Sequence, residues 1–210
     1  MKKILSLLLA LTLVGCTATQ APTPTPEESK KPSSNVGCDV TSECEDGEKA
    51  DMSAYKDFMD TDHVFRSITM QQGNELLESD KTFVLYYGFS TCPWCVELLP
   101  ILNDVAKENG MAVEYVNVRP EGTDSTNDIR VDTNPDYVKL TEIVNDYLPV
   151  NDEGVKRLSV PFVFFVKDGE IVETHIGTLD SHDAKERVMN DEEKAELTQI
   201  MIDNFQKMKK

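Results

Sequence analysis

Phe83-Val84-Leu85-Tyr86-Tyr87-Gly88-Phe89-Ser90-Thr91-Cys92-Pro93-Trp94-Cys95 is the stretch from which the rest of this chain is read. Strand-forming residues run unbroken to a glycine, a short loop follows, and two cysteines two residues apart open a segment of helical character, Val96 to Glu108. Cys-x-x-Cys between a strand and a helix is the pattern of a dithiol/disulfide redox site. One turn of helix brings the two sulfurs together. The first then lies at the helix N-terminus, where unpaired N–H groups and the helix dipole favour a thiolate. The thiolate is the nucleophile, so this placement governs reactivity. Pro93 suits the first turn, because it has no N–H to lose and its φ is already helical.

Upstream, Met52, Tyr55, Phe58 and Met59 have helical spacing and predict a short helix over 51–62. A strand over 63–69 and a helix over 70–79 follow. The unbroken apolar run 81–87 predicts a central strand buried on both faces, as in a parallel sheet. Downstream, Leu98, Leu99, Leu102, Val105 and Ala106 give the helix after Cys95 an inner face. Pro100 should kink that helix and Gly110 close it. A strand over 111–118 comes next. Residues 119–135, rich in Asp, Asn and Thr, read as a surface loop; the glycine and terminal glutamate of a calcium loop are out of register there. A helix over 137–148 precedes Val160-Pro161 and a strongly apolar strand, Phe162 to Val166, which can start on proline without losing a ladder bond. Lys167-Asp168-Gly169-Glu170 is a hairpin turn leading to a return strand, 171–176. A final amphipathic helix, 191–208, turns Leu197, Ile200, Met201 and Phe205 inward. The order is α/β, with early parallel units and a last antiparallel pair.

The N-terminus reads differently. Lys2 and Lys3 precede an apolar run, Ile4 to Val14, too short to span a bilayer, which is the form of a secretory signal. It ends in Leu13-Val14-Gly15-Cys16, which resembles a bacterial lipobox. The resemblance implies a signal peptide over 1–15, lipid on Cys16 and attachment to the outer face of the cytoplasmic membrane. Disulfides persist in that compartment. Residues 16–50, Pro-rich and then acidic, are expected to be a tether, and 51–210 the folded domain. Formal net charge is -17, which argues against nucleic acid as a partner. Cys38 and Cys44 leave several readings: a local disulfide, a resolving or regulatory role toward Cys92 and Cys95, free thiols, or a share in a four-sulfur zinc site. The zinc reading fits poorly, because five residues separate Cys38 from Cys44 and Pro-Trp separates the second pair. No metal and no cofactor are expected.

Across most of Val64 to Phe205 the chain resembles the thioredoxin fold. Cys92 and Cys95 stand at the active-site position, and Pro100, five residues after the second cysteine, matches the kinking proline of the active-site helix. Val160-Pro161, the Lys167-Asp168-Gly169-Glu170 turn and Gly177 resemble the family's cis-proline strand and hairpin. The wording around the cysteines is also similar to thioredoxin-like proteins named for an accessory role in bacteriocin transport. The resemblance implies a thiol–disulfide oxidoreductase in which Cys92 attacks and Cys95 resolves. Val160 would pair with an extended client beside cis-Pro161, and Trp94 would offer an apolar docking surface. Clients bearing thiols or disulfides and a membrane redox partner for recycling are implied partners. The alternative class is a non-catalytic module using the same groove to hold a secreted or membrane partner.

One position departs from the family. Thioredoxins carry a buried aspartate six residues before the first cysteine; here that residue is Tyr86. Core packing is its expected role, with a hydrogen bond from its hydroxyl to the site as the sharper reading. Glu97 is the nearest acid in sequence and is expected to point outward. His63, His175 and His182 are expected to be structural or surface residues.

Overall fold

The computed structural model describes residues 48–122 and 124–209. The expected signal peptide, Cys16, Cys38 and Cys44 lie outside the described residues.

Five strands form one sheet in the order β1 (Phe65–Ser67), β3 (Val113–Asn117), β2 (Phe83–Gly88), β4 (Phe162–Lys167), β5 (Glu170–Ile176). β1, β3 and β2 are parallel, whereas β4 runs antiparallel to both β2 and β5. Helices α1 (Met70–Leu77) and α3 (Pro135–Ile143) pack together, as do α2 (Pro93–Glu108) and α4 (Asp191–Lys209). This is the thioredoxin-like α/β arrangement expected from the sequence.

The apolar run ending at Gly88 is the centre of the sheet because it can be. Every residue of β2 is buried, and β4 beside it is buried up to Val166. Alternation then sends the two adjacent tyrosines to opposite faces. Tyr87 points toward α1, where its hydroxyl would lie 2.8 Å from a Cβ on Gly73, so that helix position must stay small. Phe162 and Phe164 share that side with Tyr87, their own rings stacked 4.4 Å apart. Tyr86 points toward the opposite layer, the one that carries Cys95. Phe165 meets Phe205 of α4 edge-on, with centroids 5.3 Å apart.

Local signals place the ends. Thr69 and Gln72 form a reciprocal capping box at the start of α1. Pro100 lies inside α2, which continues to Glu108. Asp168 and Gly169 take φ of 50° and 80°, the left-handed turn that matches strand twist in a two-residue hairpin.

Two expectations are corrected. Residues 51–62 form turns, not a helix. Met52 and Tyr55 are buried as the spacing demands, but Asp57 has φ 64° and Met59 is 86% exposed. The cause is local competition. Asp51 accepts from Ser53 N–H and Asp60 from Asp62 N–H, so side chains take the donors a helix would use. The second correction concerns the end of the expected tether. Ala50 is buried, its N–H donates to Phe65 O at 3.1 Å, and Lys49 bridges antiparallel to Arg66. Residues 48–50 therefore belong to the folded body.

Candidate active site

β2 ends at Gly88, and the chain turns through Phe89 and Ser90 into α2. Cys92 is the N-cap of that helix and Pro93 its first residue. The Cys92 Sγ accepts from the Cys95 N–H at 3.3 Å, a cap made by sulfur in place of the usual side-chain oxygen. Cys95 is fully buried, while Cys92 retains 4% exposure at the rim.

Opposite stands the start of β4. The Val160–Pro161 peptide is cis. The Cys92 thiol points at the Val160 carbonyl, 3.7 Å away, so these two segments, 68 residues apart, form the two walls around one sulfur. Trp94 is half-buried beside the pair, with the Lys185 ammonium 5.3 Å from its ring centre. A groove continues from Ser90 and Thr91 along Pro93, Val96 and Pro100 to the exposed Val188.

The two thiols are driven apart in acidity. Cys92 is held below the ordinary thiol value by its hydrogen bond to Cys95, the backbone N–H groups of Cys95 and Trp94, and the Arg130 charge; burial opposes this. Cys95 is pushed well above it, first by burial and then by Cys92, with the Phe89 N–H and the Tyr86 hydroxyl pulling the other way. These surroundings favour the thiolate at Cys92 and the thiol at Cys95.

Arg130 lies in the segment expected to be only a surface loop, and its side chain is 10% exposed. Asp128 grips its guanidinium at 2.9 and 2.6 Å, and its Nη1 donates to Leu158 O at 3.0 Å, tying that loop to the lead-in of the cis peptide. Arg119 also pairs with Asp128 and stacks 3.8 Å over the Phe89 ring. Nothing in the sequence marks Arg130, because its burial depends on where three distant segments meet.

Tyr86 takes the core-packing role expected of it. Its ring is fully buried and stacks on Tyr115 at 5.4 Å. Its hydroxyl lies 3.3 Å from the Tyr55 hydroxyl, which in turn donates to the Tyr115 hydroxyl at 3.1 Å. Tyr55 and Tyr115 were not read from the sequence as site residues. Tyr115 had a signal, since it sits at Tyr86's register position on the next parallel strand. Glu97 takes no part at Cys95; it accepts from the Met189 N–H at 3.3 Å. His182 is buried and structural, bonded to Thr178 and the Arg187 carbonyl. Among the described residues, no group of three His, Cys, Asp or Glu is placed to hold a metal.

No family model matches the chain. Among solved structures it is similar to the Malassezia sympodialis thioredoxin Mala s 13, at 16% identity and TM-score 0.34, over 66% of this chain and 90% of that one. The fold is thioredoxin-like. That statement rests on the strand order and on the cis proline facing an N-capping cysteine, both described above.

Proposed function

We propose that this chain is an extracytoplasmic, membrane-anchored thiol–disulfide oxidoreductase acting on protein disulfides and thiols through Cys92 and Cys95. The observation that carries the reading is the asymmetry of the two sulfurs: one at a helix N-terminus with its acidity enhanced, the other buried three residues on with its acidity suppressed. An inert structural disulfide needs no such difference.

In the reducing direction, the Cys92 thiolate attacks one sulfur of a client disulfide. The client S–S bond breaks, the other client sulfur leaves with the electron pair and takes a proton, and a Cys92–client disulfide remains. Cys95 gives up its proton and attacks Cys92. The mixed disulfide breaks and the second client sulfur leaves, taking up a proton. The client gains two electrons and the dithiol becomes a disulfide. The oxidising direction is the reverse. Val160 and Pro161 present a backbone edge beside Cys92 for an extended client, and Trp94 adds apolar surface. A membrane redox partner restores the starting state, and lipid on Cys16 holds the domain at the outer face of the cytoplasmic membrane, with residues 16–47 as spacer.

The test is turnover of a model disulfide by the purified protein. Cys92→Ser is expected to abolish it, and Cys95→Ser to accumulate mixed disulfides with clients. Equal turnover by Cys92→Ser sinks the reading, and a Cys95→Ser protein that traps nothing points instead to a binding module. The reduction potential of the pair then separates reductase from oxidase.

A further inference from the structure

Glu48 shows at which end of the sheet the acidic stretch before it is delivered. Residues 48–50 run antiparallel to β1: Ser67 N–H donates to Glu48 O at 2.9 Å and Ala50 N–H to Phe65 O at 3.1 Å. β1, β3 and β2 are parallel, with Ser67, Tyr115 and Tyr86 at one level. Followed backward from Ala50 to Glu48, the chain therefore travels the way β2 travels toward Gly88 and the dithiol. Glu48 lies beyond β1, so about 14 Å of sheet separates it from Tyr86, and Cys92, one short loop past Gly88, is roughly 20 Å away. Extended chain covers about 3.4 Å per residue, so the ten residues from Cys38 to Glu48 span about 34 Å and the four from Cys44 about 14 Å. Cys38 reaches Cys92 with slack, and Cys44 only at full stretch.

The wall beside Cys92 is rich in arginine. Arg119 stands over Phe89, whose carbonyl accepts from the Cys92 N–H at 3.2 Å. Arg130 holds the Leu158 carbonyl, two residues before Val160. Arg157 is exposed, and its Nη2 donates to the Arg130 carbonyl at 3.3 Å. Asp128 is the carboxylate that both Arg119 and Arg130 pair with. Asp124, further along the loop, accepts from its own Thr126 N–H. Three guanidinium groups thus share one paired carboxylate in a chain whose net charge is -17. The arriving stretch has the opposite sign. Asp39, Glu43, Glu45 and Asp46 flank its two cysteines, and no Lys or Arg occurs from Pro32 to Glu48.

We propose that the arginine wall at Cys92 is a docking surface for the chain's own acidic residues 38–46, and that Cys38 and Cys44 are a second redox pair exchanging with Cys92 and Cys95. The proposal rests on the exchange reading above and deepens it by naming a partner for the dithiol. With the second pair oxidised, the Cys92 thiolate attacks the Cys38 sulfur. The Cys38–Cys44 bond breaks, Cys44 leaves with the electron pair and takes up a proton, and a Cys92–Cys38 disulfide forms. Cys95 gives up its proton and attacks the Cys92 sulfur; Cys38 leaves and takes up a proton. Two electrons have passed from one pair to the other, and the reverse steps return them. Tethering holds the acidic stretch near the wall at high effective concentration, and opposite charge selects it over other segments.

The test uses the full chain with Cys16→Ala, Cys44→Ser and Cys95→Ser, which leaves Cys38 and Cys92 as its thiols. The protein is equilibrated in a buffer of reduced and oxidised glutathione at low ionic strength, quenched in acid, and its disulfides are mapped by mass spectrometry. A Cys92–Cys38 link within single chains is expected, its share unchanged on about tenfold dilution. Arg157→Glu is expected to lower the ratio of that link to Cys92–glutathione at least about threefold, and about 0.5 M salt to lower it likewise. Cys92 carrying glutathione alone overturns the proposal. So does a link that is lost on dilution, which would assign the wall to a second copy, and so does a ratio that neither Arg157→Glu nor salt moves. Should Arg157→Glu fail to fold, salt decides alone: a fall supports the proposal and an unmoved ratio overturns it. Glutathione on Cys92 without Cys38 counts against the docking only, whereas absence of turnover of a model disulfide by the wild type counts against the exchange reading.

Discussion

At the scale of single residues, the site works by giving two identical side chains different surroundings. Cys92 gains N–H donors and the Arg130 charge, and Cys95 gains burial. The signs follow. The acidity of Cys92 is enhanced in the folded state, so its thiolate persists as pH falls below the ordinary thiol value of 9.0, and the stability linked to it is lost only as pH drops through its own lower value. For Cys95, raised above 9.0, the linked stability is full below that value and is lost as pH climbs toward its own higher one. Arg130→Gln removes a cation while leaving a donor for the Leu158 carbonyl. Its expected effect is an upward shift, of a few tenths of a unit, in the pH at which iodoacetamide alkylation of Cys92 is half-maximal. An unshifted profile would show that the Arg130 charge does not reach the sulfur. Of these residues, Cys92 and Cys95 were legible from the sequence because spacing and flanking elements mark them, and Pro161 through the resemblance to the thioredoxin fold. Arg130 was not, because a lone arginine in a polar loop looks the same whether it ends in solvent or against an active site.

At the scale of elements, β2 and α2 do most of the positioning, and both were readable. β2 is apolar without interruption, and α2 begins at a proline and carries leucines on one face. The segment 51–62 was misread because its apolar spacing fits a helix while its aspartates favour turns. What fixes it is tertiary. Asn103 of α2, buried, accepts from Val64 N–H at 3.2 Å and donates to Asp60 at 2.8 Å, and Lys107 pairs with the same carboxylate at 2.5 Å. These partners hold the Asp60 carboxyl down to about 2, with Lys107 the first cause and Asn103 the second. The associated stability is present above the ordinary carboxylate value of 3.8 and is lost as pH falls from there toward about 2. The carboxylate is open to water, so the effect is modest. Asp60→Asn is expected to lower the thermal midpoint by no more than about 3 °C at pH 7, with the difference vanishing near pH 2. Calorimetry at the two pH values checks it; a gap that persists in acid would assign the effect to packing.

At the scale of the whole molecule, the folded body stands apart from the reading of its first 47 residues. The lipobox-like Leu13-Val14-Gly15-Cys16 predicts that the intact protein fractionates with membranes and that Cys16→Ala moves it to the soluble extracytoplasmic fraction. Wild-type protein in the soluble fraction would remove the anchor from the proposed function while leaving the dithiol chemistry untouched. The sequence by itself determined the α/β class, the order of strands and helices and the dithiol at a helix start, because each depends on periodicity or spacing, while the proline that would face the dithiol came from the resemblance to the thioredoxin fold. Only the tertiary structure decided that Arg130 is buried against Asp128 and the Leu158 carbonyl and that Tyr55 and Tyr115 line up behind Tyr86. Those contacts join segments tens of residues apart. Side-chain reach and burial, which decide them, exist only once the sheet has brought the segments together.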